Sequence, residues 1–286
     1  MPIGSRLIAW RIIDNSAPAG SRCQMNCQPL TFKDDAMKLQ YSLSALALAT
    51  LLTGCQNMSA DSMLSTGMKA FQAATLSDAD VKAMSDESCA HMDSQAKIAP
   101  ASSKYSKRLK KIAANLGSDA GGTPVNYKVY LTNDINAWAM ANGCVRVYSG
   151  LMDRMNDNEV EGVLGHEMGH VALGHSKKAM QTAYATSVAR DAAAASGNSA
   201  VSALSSSQLG ALGEALVNAQ FSQSQESDAD DFSYDLLKKR GIAREGLATA
   251  FDKLAKLGGG DSSMFDSHPG SADRAAHIRQ RIAADK

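Results

Sequence analysis

The chain lacks net charge: 29 lysines and arginines balance 29 aspartates and glutamates over 286 residues. That leaves no basic excess of the kind that draws a protein onto nucleic acid, so no nucleic-acid partner is expected. Its apolar stretch from Leu43 to Leu52 is too short to cross a bilayer as a permanent helix, which takes about 20 residues. Cysteines number five, and Cys23-x3-Cys27 has no matching second pair, which argues against a zinc knuckle there. Histidines number six, yet three of them fall in HEMGHVALGH, residues 166–175. The rest is ordinary globular composition, with enough chain for one good-sized domain or two small ones.

MKLQYSLSALALATLLTGC, Met37 to Cys55, places a lysine, an apolar run and small residues ahead of a cysteine. This is the layout of a bacterial secretory signal, and Leu52-Thr53-Gly54-Cys55 resembles a lipobox, in which the cysteine is acylated and begins the mature chain. Asp34 and Asp35 oppose the usual charge pattern of a signal start. Residues 1–36 are therefore expected to be an extension ahead of the natural start at Met37. Residues 37–54 read as signal peptide, 55–100 as a lipidated tether with an N-terminal helical segment, and 101–286 as the main domain. With Cys23 and Cys27 in the extension and Cys55 lipidated, Cys89 and Cys144 remain, and in an oxidising compartment they are expected to pair.

Along the mature chain, helix-favouring sequence runs from about Met63 to Ala96, with a helix start at Ser77-Asp78-Ala79-Asp80. A lysine-rich amphipathic helix follows over 106–116, most simply a solvated outer face. Gly121-Gly122-Thr123-Pro124 is a turn. Three extended segments, 127–131, 136–140 and 144–149, imply a small antiparallel sheet. Asn158 with Glu161 reads as a capping box. The alanine- and serine-rich stretch 183–219 is either a helical hairpin or an excursion. Further helices are expected over 216–241, 244–257 and 272–284, with Ser267-His268-Pro269 between the last two.

His166 and His170 stand four apart, so a helix projects both from one face toward a single metal, while Glu167 leans toward a water on it. HExxH thus supplies two zinc ligands and a general base for peptide hydrolysis. Gly165 and Gly169, costly in a helix interior, suggest close approach of another backbone. The expected third ligand is Glu226, on the next convincing helix. Asp230, one turn along, is placed to hold a ligand histidine by its free ring N–H. His175 lies about 180° around a continuous helix from His166, so it is expected at the surface or behind a ligand.

HExxH followed by Glu226-x-x-Ala229-Asp230, after an Asn-Ala-x-Ala segment and a strand leading to Ser149-Gly150-Leu151, resembles the gluzincin metallopeptidases of the HtpX/BepA type. Position 228 is aspartate where that family often has glutamate. The resemblance implies an α+β fold, a mainly helical zincin-like domain with a small antiparallel sheet beside the active-site helix, and one Zn2+ per chain. It implies that Asn136, Ala137, Trp138 and Ala139 form a strand that pairs with extended substrate. His268, with Arg274 downstream, has three readings: a stabiliser of the tetrahedral intermediate, a cap on the zinc in a resting form, or a residue fixing the turn before Pro269. The lipid-anchored members imply attachment to the outer membrane facing the periplasm, with Gln56 rather than aspartate after the lipidated cysteine. Expected partners are unfolded or misassembled envelope proteins, the membrane through the N-terminal lipid, and envelope proteases or chaperones. The rival reading is a zinc-stabilised assembly factor that binds such proteins without cutting them.

Overall fold

A computed structural model describes residues 76–194, 204–257, 264, 267–268 and 271–285. The expected extension 1–36, the expected signal peptide 37–54, Cys55 and the first part of the expected tether, up to residue 75, lie outside the described residues.

Helix α1 (Asp78–Gln95) opens on a capping box between Ser77 and Asp80, at the start read from the sequence. Helix α2 (Lys104–Leu116) buries Leu109, Ile112 and Leu116 and leaves Lys104, Lys107, Lys110 and Lys111 exposed. A short antiparallel pair, β1 (Asp119–Ala120) and β2 (Thr123–Pro124), turns at Gly121 and Gly122, both at positive φ.

The main sheet holds β3 (Asn126–Tyr130), β4 (Ala137–Ala139) and β5 (Cys144–Tyr148) in the order β3-β5-β4. β4 and β5 pair antiparallel, as expected, but β3 pairs with β5 in parallel. Successive strands reverse direction whichever of them is central. Alternation along each strand carries no information about the neighbour, which is why the reading of a wholly antiparallel sheet was too simple.

Helix α3 (Ser149–Arg154) leads into α4 (Asp157–Ala172), which is buried from Glu159 to Val171. Its capping box is Asn156 with Glu159, two residues ahead of the expected pair. The Asn158 side chain instead accepts the Gly246 N–H at the start of α8 (Glu245–Leu257) and donates to the Ala243 carbonyl. Helices α5 (His175–Ala194) and α6 (Ser206–Val217) pack on each other and on α1, so the alanine-rich stretch is helical on both sides of residues 195–203. The helix expected over 216–241 is divided: α7 (Gln223–Lys239) starts at its own capping box, Ser222 with Gln225. Helix α9 (Ser271–Ala284) closes the chain.

Two apolar cores result among the described residues. The larger gathers α2, α4, α7, α8 and α9 against the sheet, with Leu164, Met168, Tyr234, Leu247 and Phe251 in it. The smaller surrounds a Cys89–Cys144 disulfide with Val81, Tyr130, Trp138, Met140, Met180 and Leu212. Beside that disulfide the Arg146 guanidinium, 2% exposed, donates to both oxygens of Asp93. Among the described residues no helix is long and apolar enough to cross a membrane.

Candidate metal centre

Helix α4 lies against α7 because glycine lets it. A Cβ on Gly165 would stand 2.6 Å from Ser233 Oγ, and one on Gly169 would stand 2.9 Å from the Ala229 carbonyl oxygen. The close approach that the two glycines suggested is to a backbone at Gly169 and to the Ser233 side chain at Gly165. It sets Glu226 and Asp230, four apart on one face of α7, opposite His166 and His170 on α4.

His166 Nε2 and His170 Nε2 stand 3.0 Å apart. Glu226 Oε2 is 3.6 Å from the first and Glu226 Oε1 3.4 Å from the second. His268 Nδ1 completes the group, 3.2 Å from His166 Nε2 and 2.9 Å from Glu226 Oε1. All four side chains are buried, and one donor atom from each lies within 4.8 Å of the others.

A surrounding layer fixes their orientation. His166 Nδ1 donates to Asp230 Oδ1 at 2.8 Å, which leaves the Nε2 lone pair facing the group. Arg274 forks onto the Asp230 carboxylate, with Nε and Nη2 each at 2.7 Å, and its Nη1 reaches Glu226 Oε2 at 2.6 Å. The same guanidinium sits 4.1 Å over the Phe251 ring. His170 stacks on Phe221 with ring centroids 3.9 Å apart, and its Nδ1 is 3.1 Å from His175 Nδ1. The helix that would have carried His175 away does not continue. Gly174, at φ +75°, breaks it and turns His175 back behind His170.

Glu167 is 3% exposed, and its Oε1 has no hydrogen-bond partner among the described residues. The nearest cationic candidate, His268 Nε2, is 3.5 Å away. Burial pushes the Glu167 carboxyl up to about 7. Burial also acts on Glu226, but the imidazoles of His170, His268 and His166 beside it outweigh that and hold the carboxyl well below its ordinary range. Asp230 behaves likewise: burial is outweighed by Arg274 and His166. His170 is kept neutral by burial, whereas His268 is raised despite burial because it faces Glu167 and Glu226.

Asn136 and the strand Ala137–Ala139 are buried, with β4 packed against α4. Asn136 Oδ1 has no partner among the described residues, and the Ala139 carbonyl accepts from Ser176 Oγ at 3.0 Å. The structure thus brings together His166, Glu167, His170, Glu226, Asp230 and His268 and places the Asn136–Ala139 strand beside their helix.

The donor set suits a metal. Nitrogen and oxygen ligands at about 2.0–2.1 Å around a tetrahedral zinc stand roughly 3.3 Å apart, and imidazole with carboxylate is a common zinc combination. The gaps among His166 Nε2, His170 Nε2 and the Glu226 carboxylate oxygens, 3.0 to 3.6 Å, agree with that spacing. The sequence profile of peptidase family M48 matches residues 102–282. The chain belongs to peptidase family M48. It is 63% identical over 250 residues to Metalloprotease LoiP of Escherichia coli K12, covering 87% of this chain and 99% of that protein. Metalloprotease YcaL of the same organism is 61% identical over 248 residues, covering 84% and 97%. A Beta-barrel assembly-enhancing protease from that strain is 28% identical over 171 residues, covering 56% of this chain and 34% of its own length.

This M48 chain is therefore a metallopeptidase, and M48 membership implies a metal at its four-donor group. Sequence reasoning named Arg274 only as lying downstream of His268 and did not identify Phe221. The one signal for Arg274 was the need of two buried acids on α7 for a cation. Phe221, in the short link between α6 and α7, gave none.

Proposed function

We propose that this M48 peptidase is a zinc-dependent endopeptidase of the bacterial cell envelope that hydrolyses unfolded or misassembled envelope proteins in quality control. The observation carrying this reading is the convergence of His166, His170 and Glu226 beside the buried Glu167, whose Oε1 has no hydrogen-bond partner among the described residues. Those three residues would hold one Zn2+. Bound there, zinc supplies Lewis acidity toward the scissile carbonyl and lowers the pKa of water toward about 7. Glu167 accepts a proton from the attacking water and delivers it to the leaving amine, a role open to a buried carboxylate whose Oε1 has no hydrogen-bond partner among the described residues. Asp230, itself clamped by Arg274, fixes the tautomer of His166.

Substrate positioning falls to β4, the edge of its sheet. The Tyr148 N–H donates to the Asn136 carbonyl, so the alternating ladder turns the backbone groups of Ala137 and the N–H of Ala139 away from β5, where an extended peptide would meet them; the Ala139 carbonyl is already taken by Ser176 Oγ. The buried Asn136 Oδ1 is an acceptor that an incoming donor would satisfy. His268 closes the donor set in a resting form and, once displaced, is placed to stabilise the tetrahedral intermediate.

The envelope setting rests on the signal-like segment 37–54, lipidation at Cys55 and a disulfide suited to an oxidising compartment. With Gln56 next, the protein would sit lipid-anchored on the periplasmic side of the outer membrane. The relative named for enhancing β-barrel assembly supports the same setting. One observation favours a second reading, a binding protein that does not cut: four protein donors close a site in the manner of structural zinc.

The test compares the chain carrying Cys55→Ser with the same chain carrying Glu167→Gln, for zinc content and for cleavage of an unfolded protein. One zinc in each, with cleavage only by the parent, supports the endopeptidase. If both hold zinc and neither cuts, His268→Ala separates a latent enzyme, which it activates, from a binding protein, which it does not.

A further inference from the structure

His175 is the third histidine of the 166–175 stretch, and the proposed chemistry leaves it unused. It is 9% exposed, and it is not one of the four metal-donor residues. On a continuous helix it would stand about 140° around from His170. The Gly174 break, with φ +75°, is what returns it to the site and brings its Nδ1 to 3.1 Å from His170 Nδ1.

The protons on these rings follow from the neighbours. His170 Nε2 faces His166 Nε2 at 3.0 Å and Glu226 Oε1 at 3.4 Å, so as a metal ligand it must present its lone pair there. A neutral imidazole that offers Nε2 as a lone pair carries its proton on Nδ1. That Nδ1–H is buried and needs an acceptor, because an unmet buried donor is costly. His166 meets the same need with a carboxylate, Asp230 Oδ1 at 2.8 Å. For His170 the group in reach is His175 Nδ1.

We propose that His175 is a positioning residue for the metal centre: its Nδ1 accepts the Nδ1–H of His170 and so fixes the tautomer and ring orientation of that ligand. His175 then carries its own proton on Nε2, with its ring along the groove between α5 and α6 lined by Ala179, Leu212 and Phe221. The two ligands on α4 are held differently, His166 by an anion and His170 by a neutral ring. The Gly174 break serves to build the second support. This inference rests on His170 being a ligand, as proposed above.

The experiment measures zinc affinity by competition with a chromophoric chelator, with cleavage and the thermal midpoint of the metal-free protein alongside. The chain carrying Cys55→Ser is compared with His175→Phe, which keeps a ring without an acceptor, and with His175→Asn, whose Oδ1 stands near the position of the histidine Nδ1. His175→Phe is expected to lose about 10- to 100-fold in zinc affinity, the usual effect of removing a partner behind a metal-binding histidine. His175→Asn is expected to recover most of it at a similar thermal midpoint. Parent-like affinity in His175→Phe, or equal losses in both variants, would overturn the assignment. A parent that binds no zinc would instead overturn the metal reading on which it rests.

Discussion

Opening the Cys89–Cys144 disulfide should destabilise the chain by an amount its position sets. The cysteines are 55 residues apart in sequence. In the chain-entropy account, releasing a loop of that length gives the unfolded state about 4 kcal/mol of advantage at 25 °C. For a domain of 150–250 residues each kcal/mol moves the melting midpoint by roughly 2–4 °C, so reduction should lower it by about 8–16 °C. The bond joins α1 to β5 inside the smaller core, whereas the metal donors come from α4, α7 and the segment before α9. Zinc stoichiometry should therefore survive reduction at temperatures where the chain stays folded. The assay is thermal unfolding of the Cys55→Ser chain, oxidised and reduced, beside a Cys89→Ala/Cys144→Ala double variant. All samples are held at equal zinc content, because a bound ligand shifts the midpoint by itself. If the midpoint falls by less than about 2 °C while both thiols can be shown to alkylate, loop entropy is not what the bond contributes and the reasoning fails.

Asp93→Asn leaves the buried Arg146 guanidinium without its carboxylate and should cost about 3 kcal/mol, read from the urea midpoint. That is the low end for a broken buried pair, because the Asp93 side chain is still 14% exposed. In the parent, burial opposes ionisation of Asp93, but hydrogen bonds from Arg146, Lys128 and Tyr130 hold its carboxyl at about 2, below the ordinary 3.8. Its stabilisation is thus complete above about pH 4 and lost as pH falls through about 2, and this part of the acid-unfolding curve should be missing from Asp93→Asn. Gly169→Ala should gain about 1 kcal/mol in helix propensity yet lower both the melting midpoint and zinc affinity, since its methyl meets the backbone of Ala229 between Glu226 and Asp230. Unchanged zinc affinity would mean that the approach of α4 to α7 does not set the donor spacing.

What the sequence made legible was chemistry carried on regular spacing. His166 and His170 on one helix face, Glu226 and Asp230 on another, and the glycines that let the two faces meet all follow from 3.6 residues per turn. The start of α1 was legible because Ser77 and Asp80 cap it locally. Features set by tertiary contact were not legible. Asn158 looked like a helix cap, but the start of α8 takes its side chain, and Asn156 does the capping. The choice of β5 rather than β4 as central strand belongs to the sheet as a whole. For His175 the sequence left two places open, the surface or behind a ligand, and a single glycine at positive φ decides for the back of His170. Arg274 is more than forty residues from the acids it clamps, at the start of a helix whose register against α7 no local pattern announces.

Charge in the buried site leads to the last prediction. Glu167, Glu226 and Asp230 are three carboxylates facing one guanidinium, Arg274, and burial keeps His166 and His170 on the neutral side. If all three acids ionise, these groups carry two uncompensated negative charges in a place where isolated charge is costly. A divalent cation cancels them; without one, protons must. Two groups respond in that sense: burial raises Glu167 to about 7, and His268 is raised against its burial by Glu167 and Glu226. Zinc entering the site should therefore expel protons, more near pH 6.5 than at pH 8, where Glu167 has largely lost its own. Titrating zinc into the metal-free protein in two buffers of different ionisation enthalpy reads this directly. A binding enthalpy that is the same in both buffers at pH 6.5 would mean that the negative charge of the empty site is not held by protons, and the matching of a divalent cation to three acids and one arginine would have to be abandoned.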